Sequence, residues 1–251
     1  MTPLRVLIVD DESPARERLR ELLDDCRAEV AHIVVGEAAN GLEGTEFLSA
    51  NAADVALVDI HMPGMSGIEF ARHIQVLETP PAVVFVTAHD QYAVEAFELN
   101  AVDYLLKPIR ASRLAAALKK AAAGVRITTE VLERLDPHPR RFFSAGERGR
   151  VTLVPVADVV FVKAGLKYVS LHTREREYLV EESLTRLEQE FAALFVRIHR
   201  NCLIARRAVR GFERMAGEES DAGWAVVLEG CEEKLPVSRR QWAQVKALLK
   251  A

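Results

Sequence analysis

The sequence predicts two domains, a doubly wound α/β domain followed by a mostly β domain. Over residues 1–122, five short apolar runs alternate with helical patterns, which is typical of a parallel sheet with helices on both faces. Over residues 140–251, short runs rich in β-branched and aromatic residues replace that alternation. The 251 residues are enough for two domains of ordinary size.

Five strands and five helices are predicted along the first domain. The first strand, 4–9, ends at the acidic run 10–12, and Ser13 and Pro14 are predicted to supply the N-cap and a first-turn proline of the next helix. The other predicted strands are 33–36, 55–58, 83–86 and 102–106, and the other predicted helices are 41–48, 68–77, 92–99 and 114–122. Because the five strands are apolar throughout, we expect a sheet buried on both faces.

The second domain is predicted to be β-rich with a helical end. Its predicted strands are 151–154, 159–163, 168–172, 177–180, 209–212 and 224–228, and its predicted helices are 183–191 and 238–249. In 168–172, the alternation places Val169 and Leu171 on one face, which is typical of a half-buried strand. Residues 123–139, which end with two prolines, are the predicted linker between the domains.

Composition narrows the class of protein. The mean hydropathy is +0.02 and no apolar run approaches the ~20 residues that span a bilayer. The first residues lack the pattern of a signal peptide. Cys26, Cys202 and Cys231 have no metal-ligand spacing and are odd in number, which argues against a zinc site or a disulfide framework. We therefore expect a soluble cytoplasmic protein with no membrane contact.

Charge is distributed unevenly between the two predicted domains. Residues 1–139 hold 13 Lys and Arg against 22 Asp and Glu, whereas residues 140–251 hold 20 against 15. The net charges of −9 and +5 sum to the −4 of the whole chain. The basic half is therefore a candidate for binding a polyanion.

Chemically informative side chains of the first domain follow the predicted strands. They are Asp10 and Asp11 after the first strand, Asp59 after the third, Thr87 after the fourth and Lys107 after the fifth. Because the carboxyl ends of parallel strands share one edge of the sheet, we expect these side chains to converge. Crowded carboxylates need a cation, and hard oxygen ligands suit Mg²⁺. Such a site suits a phosphoryl group that arrives at one carboxylate.

The same residues lie in motifs that resemble those of response-regulator receiver domains. The motifs are, in order, 9–12 (VDDE), 58–67 (VDIHMPGMSG), 86–88 (VTA) and 104–108 (YLLKP). The resemblance implies that Asp59 accepts a phosphoryl group from a partner histidine kinase. It implies the following Mg²⁺ ligands: Asp10, Asp11, Asp59 and the backbone carbonyl of His61. Ligation by the His61 imidazole is the less favoured alternative.

The resemblance also implies a conformational switch. Thr87 and Tyr104 would be the switch pair, Lys107 would bind phosphoryl oxygens, and the Lys107–Pro108 peptide bond is expected to be cis. Thr87 would move to hydrogen-bond the new phosphoryl group, and Tyr104 would swing inward into the vacated space. Outside this motif, Tyr104 would be interpreted as an ordinary edge aromatic. Residues 92–111 are the expected homodimer surface.

Motifs in the second domain resemble those of LytTR-type DNA-binding domains. They are 164–169 (AGLKYV), 182–184 (ESL), 195–205 (FVRIHRNCLIA) and 235–240 (LPVSRR). With the receiver, the arrangement resembles the LytR/AlgR-type response regulators over nearly the whole chain. One departure is that the common pattern ends the central motif with Val-Asn, whereas this chain has Ile204 and Ala205.

In that family, loops from small β-sheets enter successive major grooves. The positions that match its DNA contacts are Lys167, His199, Arg200 and Arg239, with Asn201 and Arg240 adjacent. Arginine can read guanine with two hydrogen bonds, and Lys, Arg or Asn can bind phosphates. Three alternatives stay open: a buried structural role for His199, pairing of Arg197 with an acidic neighbour, and a solvated charge run at Arg206, Arg207 and Arg210.

The favoured function is a transcriptional regulator rather than an enzyme. Phosphorylation at Asp59 would favour a homodimer that places two basic domains on repeated sites in double-stranded promoter DNA. An alternative is a receiver protein whose second domain binds a protein partner. A metal-dependent phosphatase is rejected, because no motif forms a pocket for an external substrate. Regulation independent of phosphorylation remains compatible with the motifs.

Overall fold

The computed structural model describes residues 2–88, 103–125, 128, 132, 136, 138–147, 150–215 and 223–247. The chain divides into two compact units, one of Met1–Pro137 and Gly146–Thr152 and one of His138–Ala145 and Leu153–Ala251. The predicted helix 92–99 and part of the predicted linker lie outside the described residues. Within the described part of the chain, no helix has the length and apolar character needed to cross a membrane.

The first unit contains a five-stranded parallel sheet with the strand order β2-β1-β3-β4-β5. The strands are β1 (Leu4–Val9), β2 (His32–Ala38), β3 (Val55–Val58), β4 (Ala82–Thr87) and β5 (Asp103–Leu106). The order reverses between β1 and β3, and ligands of doubly wound sheets bind beyond the strand ends at such a switch point. The predicted doubly wound α/β fold is confirmed.

Burial differs between the central and the edge strands of this sheet. Every residue of β3 and β4 is buried, whereas Ile33 on β2 is 47% exposed and Leu106 on β5 is 43% exposed. The expectation of a sheet buried on both faces is therefore right for the centre and wrong for the edges. Each edge strand has a neighbouring strand on one side only, so its side chains are covered less completely.

Four helices are described in the first unit. They are α1 (Ser13–Cys26), α2 (Gly41–Ala50), α3 (Gly67–Ile74) and α4 (Ala111–Ala122). The predicted N-cap at Ser13 is wrong by one residue, because the Glu12 carbonyl accepts from the amides of Ala15 and Arg16 and Glu12 is the cap. Helices α2 and α3 have side-chain caps, since Asn40 accepts from the Glu43 amide and Ser66 from the Glu69 amide.

The remaining strands form three further sheets. The first is a five-stranded antiparallel sheet with the strand order β10-β9-β8-β12-β11. The second is a three-stranded sheet with the order β13-β14-β15, and the third is a pair formed by β6 and β7. The strands are β6 (Phe142–Glu147), β7 (Arg150–Pro155), β8 (Phe161–Ala164), β9 (Val169–His172), β10 (Glu177–Val180), β11 (Phe195–His199), β12 (Cys202–Ala205), β13 (Val209–Arg214), β14 (Trp224–Leu228) and β15 (Leu235–Val237). The helices are α5 (Leu184–Glu190) and α6 (Trp242–Lys246).

The predicted alternation on β9 is confirmed, since Val169 and Leu171 are buried and their neighbours are partly exposed. Four strands lie where the sequence predicts none: β6, β11, β12 and β15. Strands β11 and β12 are joined by Arg200 and Asn201 without the glycine or proline that usually marks a turn. Strand β15 is three residues long with Pro236 at its centre, a residue that argues against a strand.

The last helix is shorter at its start than the predicted range 238–249. Helix α6 begins at Trp242, because the Ser238 amide donates to the Ile198 carbonyl at 2.8 Å and holds Ser238 beside β11. Val245 is fully buried in the core of the second unit, and the Trp242 ring stacks on Trp224 with centroids 4.5 Å apart. The helix thus covers part of the three-stranded sheet through Trp242.

Candidate metal centre and nucleic-acid interface

Three carboxylates lie together at the carboxyl ends of β1 and β3. Asp10 and Asp11 follow β1 and Asp59 follows β3, and one oxygen of each lies within 4.8 Å of the others. The Asp59 amide donates to the Val9 carbonyl at 2.8 Å, which fixes the two strand ends side by side. Asp10 is fully buried and Asp59 is 8% exposed. The sheet therefore concentrates negative charge at its switch point.

Lys107 supplies a positive charge to this cluster. Its Nζ lies 2.9 Å from Asp10 Oδ2 and 3.4 Å from Asp59 Oδ2. Burial alone would lower the pKa of Lys107, but the hydrogen bond to Asp10 and the charges of both carboxylates outweigh it and raise the pKa. The Lys107 amide donates to the Thr87 carbonyl at 2.9 Å, and the predicted cis Lys107–Pro108 bond is present.

The carboxylate of Asp59 is only partly satisfied by the protein. Its Oδ2 faces Lys107, whereas its buried Oδ1 has no hydrogen-bond partner among the described residues. A buried carboxylate oxygen without a donor is costly, and a bound cation would remove that cost. The donor set of the cluster is composed of oxygens, which fits Mg²⁺ and does not fit a soft metal.

The loop after Asp59 depends on close backbone approach. A side chain at Gly67 would place its Cβ 2.0 Å from the Asp59 carbonyl oxygen, so only glycine lets α3 start against the carboxylate cluster. The Gly67 amide donates to the Ile60 carbonyl at 2.8 Å and closes the loop. The side chain of His61 is exposed in this loop.

The predicted switch residues lie on neighbouring strands. Thr87 is fully buried at the end of β4, and Tyr104 is partly exposed on β5. In the strand register Thr87 pairs with Leu106 and Tyr104 pairs with Phe85, so the two switch residues are offset by two positions. An offset of two positions places both side chains on the same face of the sheet.

Arg16 is a contact to the acidic site that the sequence does not reveal. Its Nη1 donates to the Asp10 carbonyl oxygen at 2.7 Å, and its Nε lies 3.2 Å from Glu37 Oε2. This bond holds the backbone from which two of the three carboxylates project. No pattern distinguishes Arg16 from Arg18 and Arg20 on the same helix, so only the tertiary contact identifies it.

In the second unit, backbone hydrogen bonds gather three segments that are far apart in sequence. The Ala164 amide donates to the Asn201 carbonyl at 2.8 Å, and the Ser238 amide donates to the Ile198 carbonyl at the same distance. The turn after β8, the turn between β11 and β12, and the segment after β15 therefore lie side by side. These segments, together with His199 at the end of β11, carry all six residues predicted to contact DNA.

Four of the six side chains are exposed cations: Lys167, Arg200, Arg239 and Arg240. His199 and Asn201 are partly exposed, and His199 Nδ1 lies 2.5 Å from Asn201 Oδ1. The buried neighbour of His199 is Ile198, so the imidazole itself is not a core residue. The three segments thus present four exposed cations together with two partly exposed hydrogen-bonding side chains.

Other basic residues of this unit are held by protein groups. Arg197 Nε lies 2.6 Å from Glu188 Oε2, which fits its interpretation as a paired residue. Arg207 donates to the Val159 carbonyl at 2.9 Å, and Arg210 lies 3.3 Å from Glu229 Oε1. Arg206 Nη2 lies 3.4 Å from the Ala192 carbonyl. We therefore leave these residues out of the candidate interface.

Ala205 occupies the position at which the LytTR-type pattern that the sequence resembles has asparagine. It is 2% exposed at the end of β12, and its amide donates to the Val160 carbonyl at 2.9 Å. A backbone bond thus anchors the strand end without a side-chain amide.

The doubly wound domain carries an acidic edge, formed by Asp10, Asp11 and Asp59. The β-rich domain carries a basic edge, formed by Lys167, Arg200, Arg239 and Arg240. Together they define a response regulator with a DNA-binding output domain. Residues 6–119 match the response regulator receiver domain family, and residues 149–250 match the LytTr DNA-binding domain family. A structural relative is the response regulatory domain of mrkE from Klebsiella pneumoniae, with 36% identity, a TM-score of 0.43, and coverage of 48% of this chain and 97% of that one.

Full-length relatives show the same pairing of domains. The chain is 39% identical to the positive alginate biosynthesis regulatory protein of Pseudomonas aeruginosa, over 98% of this chain and 99% of that protein. It is 30% identical to the sensory transduction protein LytT of Bacillus subtilis, over 98% of this chain and 99% of that protein. The chain belongs to the LytTR-type response regulators, which are transcriptional regulators.

Proposed function

We propose that Asp59 accepts a phosphoryl group from the phosphohistidine of a partner kinase. The observation that carries this proposal is the cluster of three carboxylates within 4.8 Å of one another, with the Lys107 ammonium 2.9 Å from Asp10 Oδ2. A lone aspartate at a strand end has no such neighbours. Phosphoryl transfer needs positioning and charge neutralisation, and this cluster has the groups for both.

Mg²⁺ would be held by the carboxylates of Asp10, Asp11 and Asp59 and by the backbone carbonyl of His61. The unpartnered, buried Oδ1 of Asp59 supports this ligand set. When bound, Mg²⁺ neutralises the crowded carboxylates and the oxygens of the incoming phosphoryl group.

In the transfer step, a carboxylate oxygen of Asp59 attacks phosphorus. The O–P bond of an aspartyl phosphate forms, the P–N bond of the phosphohistidine breaks, and the leaving imidazole keeps the electron pair. Lys107 stabilises the charge on the phosphoryl oxygens, because its Nζ already lies 3.4 Å from Asp59 Oδ2. Arg16 positions Asp10 through its backbone carbonyl.

The phosphoryl group would then act through β4 and β5. Thr87 would hydrogen-bond a phosphoryl oxygen, and Tyr104 would occupy the space that Thr87 leaves. This change would alter residues 103–111 of the predicted homodimer surface 92–111 and favour a homodimer through the receiver. Residues 92–102 of that predicted surface lie outside the described part of the chain. Residues 1–122 would form the receiver, 123–139 the linker and 140–251 the DNA-binding domain.

The DNA-binding surface would comprise Lys167, His199, Arg200, Asn201, Arg239 and Arg240. The backbone bonds that join their three segments support a single interface. Two such surfaces in a homodimer would bind repeated half-sites in a promoter.

Salt dependence distinguishes DNA binding from the alternative of a protein partner. Each phosphate neutralised by Lys or Arg contributes about −0.9 to the slope of log affinity against log salt. If Arg200 and Arg239 read base edges, phosphate contacts by Lys167 and Arg240 predict a slope of about −1.8 per domain. We expect this slope for the full chain and a duplex selected from a random library, measured by fluorescence anisotropy. A flat response together with retention of a protein partner would favour the alternative.

Arg239→Ala is expected to weaken binding to the selected duplex by about 1–3 kcal/mol, because the arginine would read a base edge. Arg200→Ala carries the same expectation. Arg210→Ala is the matched control, since Arg210 pairs with Glu229 and should leave affinity unchanged. Equal affinities of the Arg239 variant and the wild-type chain would remove Arg239 from the interface.

A further inference from the structure

Leu166 is the most exposed of the large hydrophobic residues in the described part of the chain. Its relative exposure is 111%, whereas no other such residue exceeds 51%. A leucine with this exposure gains nothing from the hydrophobic effect in the free protein. A ligand that buried this side chain would gain the free energy of removing its apolar surface from water.

Leu166 lies in the tight turn between β8 and β9, where the Gly165 amide donates to the Tyr168 carbonyl at 2.9 Å. The turn holds the leucine on a short, hydrogen-bonded segment. The neighbouring bond from Ala164 to the Asn201 carbonyl joins this turn to the segment that carries Arg200.

Two exposed cationic residues lie near Leu166, one next to it in sequence and one in the adjoining turn. Lys167 is next in sequence, and Arg200 lies in the adjoining turn. A basic surface is complementary to the phosphates that border a DNA groove and would repel a basic partner. A ligand that buries Leu166 against this surface must therefore combine negative charge with an apolar group.

The edges of the base pairs in the major groove present one apolar group, the C5-methyl group of thymine. We infer that Leu166 is a specificity-determining residue that packs against a thymine methyl group, an inference that rests on the proposed DNA-binding surface. Lys167 and Arg240 would set affinity and register, Arg200 and Arg239 would read base edges, and Leu166 would select thymine at one position of each half-site.

Replacement of thymine by deoxyuridine removes this methyl group and leaves the hydrogen-bonding edge unchanged. A duplex is first selected from a random library with the full-length protein, and each thymine is then replaced in turn. We expect one position per half-site at which the replacement weakens binding by about three- to tenfold, the cost of losing one buried methyl contact.

Leu166→Ala is expected to weaken binding to the thymine duplex by a similar factor and to become insensitive to deoxyuridine at that position. Leu194→Ala is the matched control, because Leu194 is 51% exposed but precedes β11 at the end opposite His199. This control should keep both the affinity and the deoxyuridine sensitivity of the wild-type chain.

Two results would overturn the inference alone: a wild-type chain that tolerates deoxyuridine at every position, or a Leu166 variant that keeps the wild-type sensitivity. Failure of the wild-type chain to select any duplex would overturn the proposed DNA-binding surface and this inference with it.

Discussion

Asp59→Asn is expected to abolish labelling of the protein by a small phosphodonor such as acetyl phosphate in the presence of Mg²⁺. The amide nitrogen and oxygen fill the volume of the carboxylate but supply neither its negative charge nor its nucleophilic oxygen. The variant also loses one of the three carboxylates that lie within 4.8 Å of one another. Incorporation of label into the intact chain, with and without a chelator, measures the effect.

Asp54→Asn is the matched control for this experiment. Asp54 directly precedes β3, so it lies at the opposite end of the strand from Asp59, and its carboxylate pairs with Arg5 at 2.8 Å. Both groups of that pair are more than a third exposed, so its loss should leave the fold intact. Full labelling of the Asp54 variant and none of the Asp59 variant is the expected pair of results. Persistent labelling of the Asp59 variant would assign the phosphoryl group to another residue.

The acidic edge is predictable from sequence because its residues follow parallel strands. Once β1 and β3 are identified from apolar runs, sheet geometry alone brings Asp10 and Asp59 to one place. The same reasoning does not reach Arg16, since a helical arginine that binds a carbonyl carries the same local pattern as its solvated neighbours. The exposure of side chains on edge strands cannot be predicted in this way either, because an apolar run does not reveal how many neighbouring strands a strand will have.

The basic edge of the second unit is harder to predict. Its residues are drawn together by backbone bonds between Ala164 and Asn201 and between Ser238 and Ile198, and backbone groups leave no trace in a sequence. Motif resemblance locates the candidate residues, whereas tertiary contacts identify the protein groups that hold Arg197, Arg206, Arg207 and Arg210. Arg197 shows this difference, since the sequence leaves its pairing open and the fold identifies Glu188 as its partner.

A buried ion-pair network at the start of the second unit is expected to contribute strongly to the free energy of unfolding of that unit. The Arg140 guanidinium binds Glu182 through two bonds, of 2.9 and 3.1 Å, and Glu190 through two bonds of 2.9 Å. The three side chains are 10–19% exposed. Burial alone would lower the pKa of Arg140, but the hydrogen bonds and charges of both glutamates outweigh it and raise the pKa. The guanidinium thus stays charged and satisfies two carboxylates that have little water.

Arg140→Ala is therefore expected to reduce the free energy of unfolding of the second unit by about 3–5 kcal/mol, because it leaves two poorly hydrated carboxylates facing each other. The lost packing of the guanidinium, which lies 5.9 Å from the ring centroids of Phe143 and Phe191, adds to this cost.

The only two tryptophans of the chain, Trp224 and Trp242, belong to this unit, so tryptophan fluorescence during urea unfolding reports its stability selectively. Lys234→Ala is the control, since its pair with Glu213 is 64% and 50% exposed and should contribute at most about 1 kcal/mol. If the Arg140 variant lost no more stability than this control, the network would not be a major source of stability for the second unit. If the expected loss is found, the folding stability of the DNA-binding unit depends on Arg140. The stable unit must then include residue 140, which agrees with a domain start near this position.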